Sequence, residues 1–295
     1  MIDLSKYNRA AQILALRLTG QVGPRTFAGL MTHFKTIDNI LLAEEHELLE
    51  IDGIGEKRSE GIGKAGELLD KAQQIIDNLD AYDAKVSDFM DNDFPDILQE
   101  LNNPPPLIYY KGKLPTQDEK RVAIIGSQNV SAEGIGDAVG LAEKLAKAGI
   151  SIVSGLARGI DTAGHVGALK ADGKTYGILP CGIDIVHPSE NDGIAKEITE
   201  TGSIISEYIP GTPVSPGRLL SRNRLIAGLS QAVIIGEVSD ESVGTLDAAL
   251  CCHQLGKLLF VIIGEHNPHY EKLLEFGAIP LTNINEYEMI LKALV

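Results

Sequence analysis

The sequence predicts an α/β fold with a Rossmann-like doubly wound, mostly parallel sheet, and a small all-α domain in front of it. From residue 106 onward, continuous apolar runs of strand length alternate with amphipathic stretches of helical length, which is typical of a parallel sheet covered on both faces. Before residue 80, short helical stretches are instead broken by Gly and Pro. We expect a helical domain at 1–80, a connector at 81–105, the Rossmann-like domain at 106–282 and a terminal helix at 283–295.

The N-terminal part contains two stretches of one pattern, LRLTGQVGPRTFAGLMTHF (16–34) and LLEIDGIGEKRSEGI (48–62). In each, an apolar helix end is followed by a glycine-containing hairpin, a basic residue and a new helix. This helix-hairpin-helix arrangement aims backbone N–H groups at a phosphate, and the second stretch fits the DNA-binding version best. The secondary DNA-binding candidates are Gly53, Gly55, Lys57 and Arg58. A packing unit or a protein-interaction module is the equally weighted alternative.

The stretch DAYDAKVSDFMDNDFPDILQELNNPPP (80–106), which contains the connector, is acidic and ends in prolines. Beyond it, the predicted strands are residues 107–110, 121–125, 151–153, 175–179, 203–205, 232–236 and 258–263. Predicted helices include residues 132–149 and 244–256. Alternation of this kind indicates the doubly wound arrangement.

Composition limits the classes of protein to consider. The chain has 295 residues, 44% of them hydrophobic, and a formal net charge of −15, which argues against coating nucleic acid by bulk electrostatics. It has no apolar run of about 20 residues and no leader-like N-terminus, so we expect a cytoplasmic protein without membrane association. Cys181, Cys251 and Cys252 are too few and too poorly spaced for a disulfide framework or a zinc site. We expect neither a metal nor a cofactor.

Three segments that follow predicted strands carry small residues at positions suited to an anion. They are GSQNVS (126–131), SGLARGID (154–161) and GEVSDESVGTLDAA (236–249). Glycine lets backbone amides approach an oxyanion, and a helix that starts there adds a favourable dipole. The predicted phosphate-binding residues are Gly126, Ser127, Ser154, Gly155, Gly159, Gly244 and Thr245. For any single loop, helix–sheet packing is the more common role, and no dinucleotide or Walker fingerprint is present.

The stretch SPGRLLSRNRLIAGLS (215–230) adds cations in an acidic chain. Arginine suits phosphate because its planar fork donates two parallel hydrogen bonds. The candidates are Arg218, Arg222, Asn223 and Arg224. The alternative is a set of salt bridges to Glu207, Asp161 or Glu237.

Asp161 and His165 lie four residues apart on a predicted helix. That spacing permits an Asp–His pair, but no serine or cysteine nucleophile stands in evident relation to it. We interpret His165 as a structural histidine and Asp161 as a residue that holds the loop shape, and we expect no catalytic residues.

These motifs together resemble the DNA-processing protein A (DprA, or Smf) family over nearly the whole chain. The ordered matches are FPDILQELNNPPPLIYYKG (94–112), VAIIGSQ (122–128), SGLARGIDTAGHVGAL (154–169), CGIDIVHPSEN (181–191), SEYIPGTP (206–213) and RNRLIAGLS (222–230). The resemblance implies a Rossmann-like domain that binds single-stranded DNA without cutting it, forms homodimers and helps to load a RecA-type recombinase during natural transformation. It adds Gln128 and Arg158 to the predicted DNA-binding residues.

The sequence also departs from the family pattern. Gln128 stands where arginine is usual, and Arg218-Leu219 replaces Asn-Phe, which removes an aromatic ring that could stack on a base. The winged-helix tail of many members is not expected here. A divergent paralogue with a toxin or phage-defence partner is therefore one alternative.

The other alternative is an enzyme. SVGTLDAA (242–249) resembles the loop of nucleotide phosphoribohydrolases, which release a base from a nucleoside monophosphate. That reaction requires two glutamates, where this chain has Asp247 and Ala248. The loss of one carboxylate and the shortening of the other weaken acid–base catalysis.

Overall fold

The computed structural model describes residues 3–239, 242–263 and 267–294. The chain forms two compact units, Met1–Tyr109 and Tyr110–Val295. Residues 81–105, which we expected as a connector, belong to the first of them.

The first unit is mainly helical. Its helices are α1 (Arg9–Leu18), α2 (Pro24–Phe34), α3 (Ile37–Leu42), α4 (Glu45–Leu48), α5 (Glu56–Gly63) and α6 (Leu69–Asp77). The chain reverses before α2 and before α5 through Gly20 and Gly53, whose φ angles are 72° and 79°. Side chains rarely tolerate this left-handed backbone, which explains glycine at both turns. A short strand, β1 (Lys85–Asp88), follows, and β2 (Leu107–Gly112) spans the boundary between the units.

The second unit contains a parallel sheet flanked by helices. Its strands are β3 (Arg121–Ile125), β4 (Ser151–Ser154), β5 (Thr175–Ile178), β6 (Ser203–Ser206), β7 (Ala232–Ile235), β8 (Leu258–Ile262) and β9 (Ile279–Leu281). Its helices are α7 (Ala132–Lys147), α8 (Ile160–Lys170), α9 (Asp192–Thr201), α10 (Pro216–Leu229), α11 (Val243–Gln254), α12 (Tyr270–Glu275) and α13 (Tyr287–Ala293).

These seven strands are ordered β6-β5-β4-β3-β7-β8-β9, and every neighbouring pair among them is parallel. The chain moves outward in one direction from β3 to β6, returns to the other side of β3 with β7, and moves outward again. This reversal confirms the predicted doubly wound α/β class. The topological switch point lies between β3 and β7, where ligands of such sheets usually bind.

The core explains why the apolar runs form strands. Val122, Ile124, Ile152 and Ile234 are fully buried in the cluster that includes the apolar face of α7. Side chains buried on both faces of a strand give continuous apolar runs instead of alternating ones. All seven predicted strands begin at the residue that the sequence predicted, whereas β1 and β9 were not predicted. β9 is only three residues long and contains Pro280, so its signal is weak.

Candidate nucleic-acid interface

A cavity of about 400 Å³ opens at the switch point, beyond the carboxyl ends of β3 and β7. The segment after β3, the start of α8, the first turns of α10 and the start of α11 supply its wall. Seven of the predicted residues line it: Gly126, Ser127, Gln128, Arg222, Asn223, Gly244 and Thr245. The sequence therefore identified loops that do meet at one place.

Six other predicted residues are not among those that line this cavity: Ser154, Gly155, Arg158, Gly159, Arg218 and Arg224. Ser154 is completely buried and its hydroxyl donates to the Ile124 carbonyl at 2.6 Å. Arg158 and Gly159 line a second, shallower groove beside Glu190 and Asn191. The predicted residues thus line one of two depressions, lie buried as Ser154 and Gly155 do, or lie outside both depressions as Arg218 and Arg224 do.

The glycines of the first two loops are required by packing within the protein. A Cβ on Gly126 would overlap Ile160, and a Cβ on Gly155 would overlap the guanidinium of Arg222. Gly159 has a φ of 73°, and a Cβ there would overlap the carbonyl of Ser127. At these three positions the space that glycine leaves is filled by the protein itself. Gly244 differs, because a Cβ there would meet no atom within 4 Å.

Arg222 is directed into the protein. Its side chain is 7% exposed, and its Nη1 donates to the carbonyls of Gly155 and Ile178, the latter at 2.6 Å. Its Nη2 lies 4.0 Å from a carboxylate oxygen of Asp161. Arg222 therefore ties the carboxyl ends of β4 and β5 to α10, and the phosphate contact predicted for it would require this arrangement to open.

Two further arginines are also paired with carboxylates. Arg224 Nη2 lies 2.5 Å from Glu207 Oε2, with side chains 11% and 4% exposed. Arg158 donates from Nη2 to Glu190 Oε2 at 2.7 Å, but both of these side chains are more than half exposed. The salt-bridge alternative thus describes two of the arginines: Arg222 lies beside Asp161, and Arg224 pairs with Glu207. The phosphate contacts of all three arginines stay predictions.

Arg218 lies in the first turn of α10, next to the residues that form one cavity wall. Its guanidinium carbon is 5.4 Å from the centre of the Tyr208 ring, and its Nη1 donates to the Pro213 carbonyl at 2.9 Å. Within residues 3–239, 242–263 and 267–294, Arg218 has no carboxylate partner. Of the four predicted arginines, it is the one whose charge is not matched by an acid there.

Asp161 shapes the loops from below. It is buried and accepts a hydrogen bond from Gly155 N at 3.1 Å, and from the amides of Ala157 and Gly126. Burial raises the pKa of Asp161 to about 6, against the opposing effect of Arg222. This carboxylate connects the loops after β3 and β4.

His165 does not pair with Asp161. Its Nδ1 lies 2.7 Å from Thr175 Oγ1, and that hydroxyl donates to the Ile152 carbonyl at 2.9 Å. Since the hydroxyl proton is used, Nδ1 must carry the donated proton, which leaves Nε2 as a buried acceptor without a partner among the described residues. Burial lowers the pKa of His165 to about 3, so the ring is neutral.

The sequence missed a cluster of three serine hydroxyls in the cavity wall. Ser127 Oγ contacts Ser242 Oγ, and Ser239 Oγ lies 3.2 Å from Ser127 Oγ and 3.1 Å from Ser242 Oγ. Ser239 N also donates to Ser127 Oγ at 2.7 Å. Ser239 and Ser242 lie in a segment that the sequence had singled out, but serine is so common in loops that nothing marked them.

An internal carboxylate occupies the start of α7, where a phosphate was expected. Glu237 accepts from Ser131 N at 2.8 Å and from the Ser131 hydroxyl, which in turn caps the helix at Gly134 N. The favourable electrostatics of this helix start are therefore used by the protein itself. Glu237 had been considered only as a partner for arginine.

The segment that resembles a phosphoribohydrolase loop is held by α10. Asn223 Nδ2 donates to Asp247 Oδ2 at 2.9 Å and to the Gly244 carbonyl at 3.0 Å. Ala248, where a carboxylate would be required, is 2% exposed and lines the cavity. Asn223 therefore joins α10 to α11.

In the first unit, two of the secondary candidates, Gly53 and Gly55, lie in the hairpin between α4 and α5, and the other two, Lys57 and Arg58, lie in the first turn of α5. Gly53, Gly55, Lys57 and Arg58 are all exposed. Arg58 Nη1 donates to the Gly53 carbonyl at 2.7 Å, which stabilises the turn. DNA binding by this hairpin stays a prediction.

No helix within the described residues is long and apolar enough to cross a bilayer. They also contain no group of three or more His, Cys, Asp or Glu side chains that could hold a metal ion.

Comparison with known proteins places these features in a family. A family model for DNA recombination-mediator protein A matches residues 85–291. Protein Smf of Synechocystis is 31% identical over 300 residues, an alignment that spans 92% of this chain and 73% of that protein. DNA processing protein DprA of Streptococcus pneumoniae is 35% identical over 175 residues, which span 59% of this chain and 61% of that protein.

Solved structures agree with the sequence matches. The structure of DNA processing protein A from Streptococcus pneumoniae has a TM-score of 0.81 at 25% identity and covers 95% of this chain and 96% of its own. A structure that concerns the single-stranded DNA binding mode of DNA processing protein A from Helicobacter pylori has a TM-score of 0.63 at 33% identity, and covers 70% of this chain and 96% of its own. The doubly wound sheet, the ordered motifs and these matches show that the chain belongs to the DNA recombination-mediator protein A family, whose members process DNA in recombination.

Proposed function

We propose that this protein binds single-stranded DNA across the carboxyl edge of its parallel sheet and does not cleave it. The observation that carries the proposal is the cavity at the switch point between β3 and β7. Three segments predicted to bind DNA, which lie after β3 and at the starts of α10 and α11, contribute to its wall.

The surroundings of the cavity suit a single strand better than a duplex. Proteins that bind single strands combine positive charge for the backbone with surfaces on which unstacked bases can lie. Leu220 and Val243, which line the cavity, are 38% and 68% exposed at its mouth. Exposed apolar side chains beside a cavity supply a surface of this kind.

We expect the cations at this edge of the sheet to contact the phosphates of the DNA backbone. Arg218 lacks a carboxylate partner in the described part of the chain, and Arg158 is held only by the exposed Glu190. Solvent-exposed ion pairs are weak, about 0 to 1 kcal/mol, so a phosphate can displace Glu190. Because each phosphate that these cations engage releases counterions, we expect the affinity to fall with salt in proportion to the number of phosphates engaged.

The hydrogen bonds that the polar side chains of the site already make within the protein support a binding role without catalysis. Asp247 is hydrogen-bonded to Asn223, and Ala248 contributes no carboxylate. The Ser127 hydroxyl contacts other serine hydroxyls, whereas His165 is engaged by Thr175. Activation of a serine nucleophile requires a base within hydrogen-bond reach.

The family resemblance extends the proposal to partners. We include a RecA-type recombinase as the recipient of the bound strand, and a homodimer as the binding species. Natural transformation and a defence role both remain open as biological settings for the same binding activity.

The test is a fluorescence anisotropy titration of the whole chain with a labelled oligo(dT) over a series of salt concentrations. We expect log K to fall linearly with log[salt]. Arg218→Ala and Arg158→Ala should each weaken binding and reduce the slope by about 0.7, the value for one phosphate of a single strand. The matched control is Lys147→Ala, an exposed cation at the far end of α7, and it should change neither quantity.

Binding that is absent at low salt, or that both arginine variants leave unchanged, would overturn the proposal. Incubation of the same protein with nucleoside monophosphates tests the enzyme alternative. Release of free base would show catalysis where we propose none.

A further inference from the structure

The loop that follows β4 holds a buried residue in an unfavourable backbone conformation. Leu156 is completely buried and has a φ of 63°, in the left-handed region that residues with a Cβ rarely adopt. Three other non-glycine residues in the described part of the chain have a positive φ, and all three are exposed: Lys35, Asp83 and Asp172. A conformation of this kind persists only where surrounding contacts determine it, and such positions are concentrated at functional sites.

The side chain of Leu156 supplies one of these contacts. A Cβ on Gly177 of β5 would lie 2.5 Å from Leu156 Cδ1, so the leucine side chain fills the space that this glycine leaves on the sheet. This packing anchors the side chain in the core. It does not satisfy the carbonyl of the same residue, which requires a donor once it is buried.

Asn191 supplies that donor. It is 5% exposed, and its Nδ2 donates to the Leu156 carbonyl at 2.8 Å and to Thr162 Oγ1 at 2.9 Å. The Thr162 hydroxyl donates in turn to the Ala157 carbonyl at 2.6 Å. Both protons of the Asn191 amide are thus used, and the carbonyls of two consecutive loop residues are tied to it directly or through Thr162.

These two carbonyls come directly before Arg158, which we propose as a phosphate contact. The Arg158 side chain is more than half exposed and is paired with Glu190, the residue before Asn191. The turn Ser189–Asn191 therefore holds the backbone of the loop through Asn191 and the side chain of Arg158 through Glu190. The first contact is buried, whereas the second is exposed and weak.

We propose that Asn191 is a positioning residue for DNA binding, which fixes the loop after β4 in its left-handed turn and thereby determines where Arg158 meets a phosphate. Asn191 does not contact the DNA in this arrangement. The consequence for affinity rests on the proposed function, whereas the fixing of the loop can be measured without DNA.

The first experiment follows hydrogen exchange of the loop amides in the native protein, Asn191→Ala and Asn191→Asp. Aspartate has nearly the size of asparagine but lacks the donor, so it tests the hydrogen bond without leaving a cavity. Loss of this buried hydrogen bond should speed exchange at Gly155 and Ala157 about tenfold in both variants. The matched control in the same turn is Glu190→Gln, which releases the Arg158 side chain but retains the Asn191 contacts and should exchange at the native rate.

The second experiment measures the salt dependence of oligo(dT) affinity when Asn191→Ala and Arg158→Ala are combined. In the native background, Arg158→Ala should reduce the slope of log K against log[salt] by about 0.7. Asn191→Ala should reduce the slope by the same amount, and the added Arg158→Ala should then have no further effect. An asparagine that only stabilises the fold would leave the full effect of Arg158→Ala in place.

Circular dichroism melts show which variants are folded, and one measurement requires no variant: both side-chain amide protons of Asn191 should be protected from exchange in the native protein. Rapid exchange of these protons, or native exchange rates at Gly155 and Ala157 in the folded variants, would refute the fixing of the loop. An undiminished effect of Arg158→Ala in the Asn191→Ala background would refute the positioning role. Failure of the native protein to bind oligo(dT) would instead refute the proposed function, and the exchange data would still decide whether Asn191 fixes the loop.

Discussion

Replacement of Arg222 by methionine tests whether this arginine stabilises the fold or contacts DNA. Methionine retains the apolar stem but removes the guanidinium, which leaves the carbonyls of Gly155 and Ile178 without their donor and Asp161 without its counter-charge. Loss of one partner of a buried ion pair costs about 3 to 5 kcal/mol. For a unit of this size, about 4 kcal/mol lowers the melting temperature by about 10 °C.

The assay is a thermal melt followed by circular dichroism, with single-strand affinity measured well below the transition. Arg218→Met is the matched control, because it makes the same change one turn earlier on α10 at a site without a carboxylate partner in the described residues. We expect it to melt within about 2 °C of the native protein but to bind DNA more weakly. If Arg222→Met melted like the native protein while losing DNA affinity, our assignment of this side chain would be wrong.

Three other predictions concern the groups beneath the binding edge. Burial raises the pKa of Asp161 to about 6, so the folded state retains a proton that the unfolded chain loses near pH 4. The contribution of this proton to the free energy of unfolding is therefore fully present below about pH 4 and is lost as the pH rises through 6. The unfolding free energy of the native protein relative to Asp161→Asn, from urea titrations, should therefore decrease between pH 4 and pH 6, by at most about 1.4 kcal/mol per pH unit; a flat or rising difference would contradict this. Because the pKa of His165 is lowered to about 3, NMR of its ring should show the neutral Nδ1–H tautomer from pH 8 down to pH 5, and a ring that titrates near pH 6.5 would disprove the burial argument. Gly159→Ala should destabilise the fold by more than about 2 kcal/mol, because the new Cβ meets a positive φ and overlaps backbone atoms. Gly244→Ala should instead be neutral or stabilise α11 by up to about 1 kcal/mol. Equal unfolding free energies for the two variants would refute the packing role of Gly159.

The architecture could be predicted from the sequence because burial leaves a direct trace in it. The runs that became β3 and β7 are continuous and apolar, and the loops after them were correctly placed at one edge of the sheet. Gly126, Ser127 and Gly244 do line one cavity, as their positions after strands or at a helix start predicted.

The direction of individual side chains could not be predicted in the same way. From the sequence, salt bridges to Glu207, Asp161 or Glu237 were an alternative to phosphate binding, but the sequence does not show which guanidinium turns inward. Similarly, a glycine that admits a ligand and one that admits a neighbouring side chain look alike in sequence. A Cβ added at Gly155 would overlap Arg222, a residue 67 positions away, and only the folded backbone brings the two together.

The buried contacts of Asp161 and Arg222 have a consequence for the thermodynamics of recognition. They fasten the ends of β3, β4 and β5 and α10 to one another, at the edge where we propose that DNA binds. A surface that is already ordered loses little conformational entropy when it engages a ligand, so more of the contact energy is available as affinity. In a protein with a net charge of −15, such preorganisation offers a physical route to tight binding that does not depend on additional positive charge.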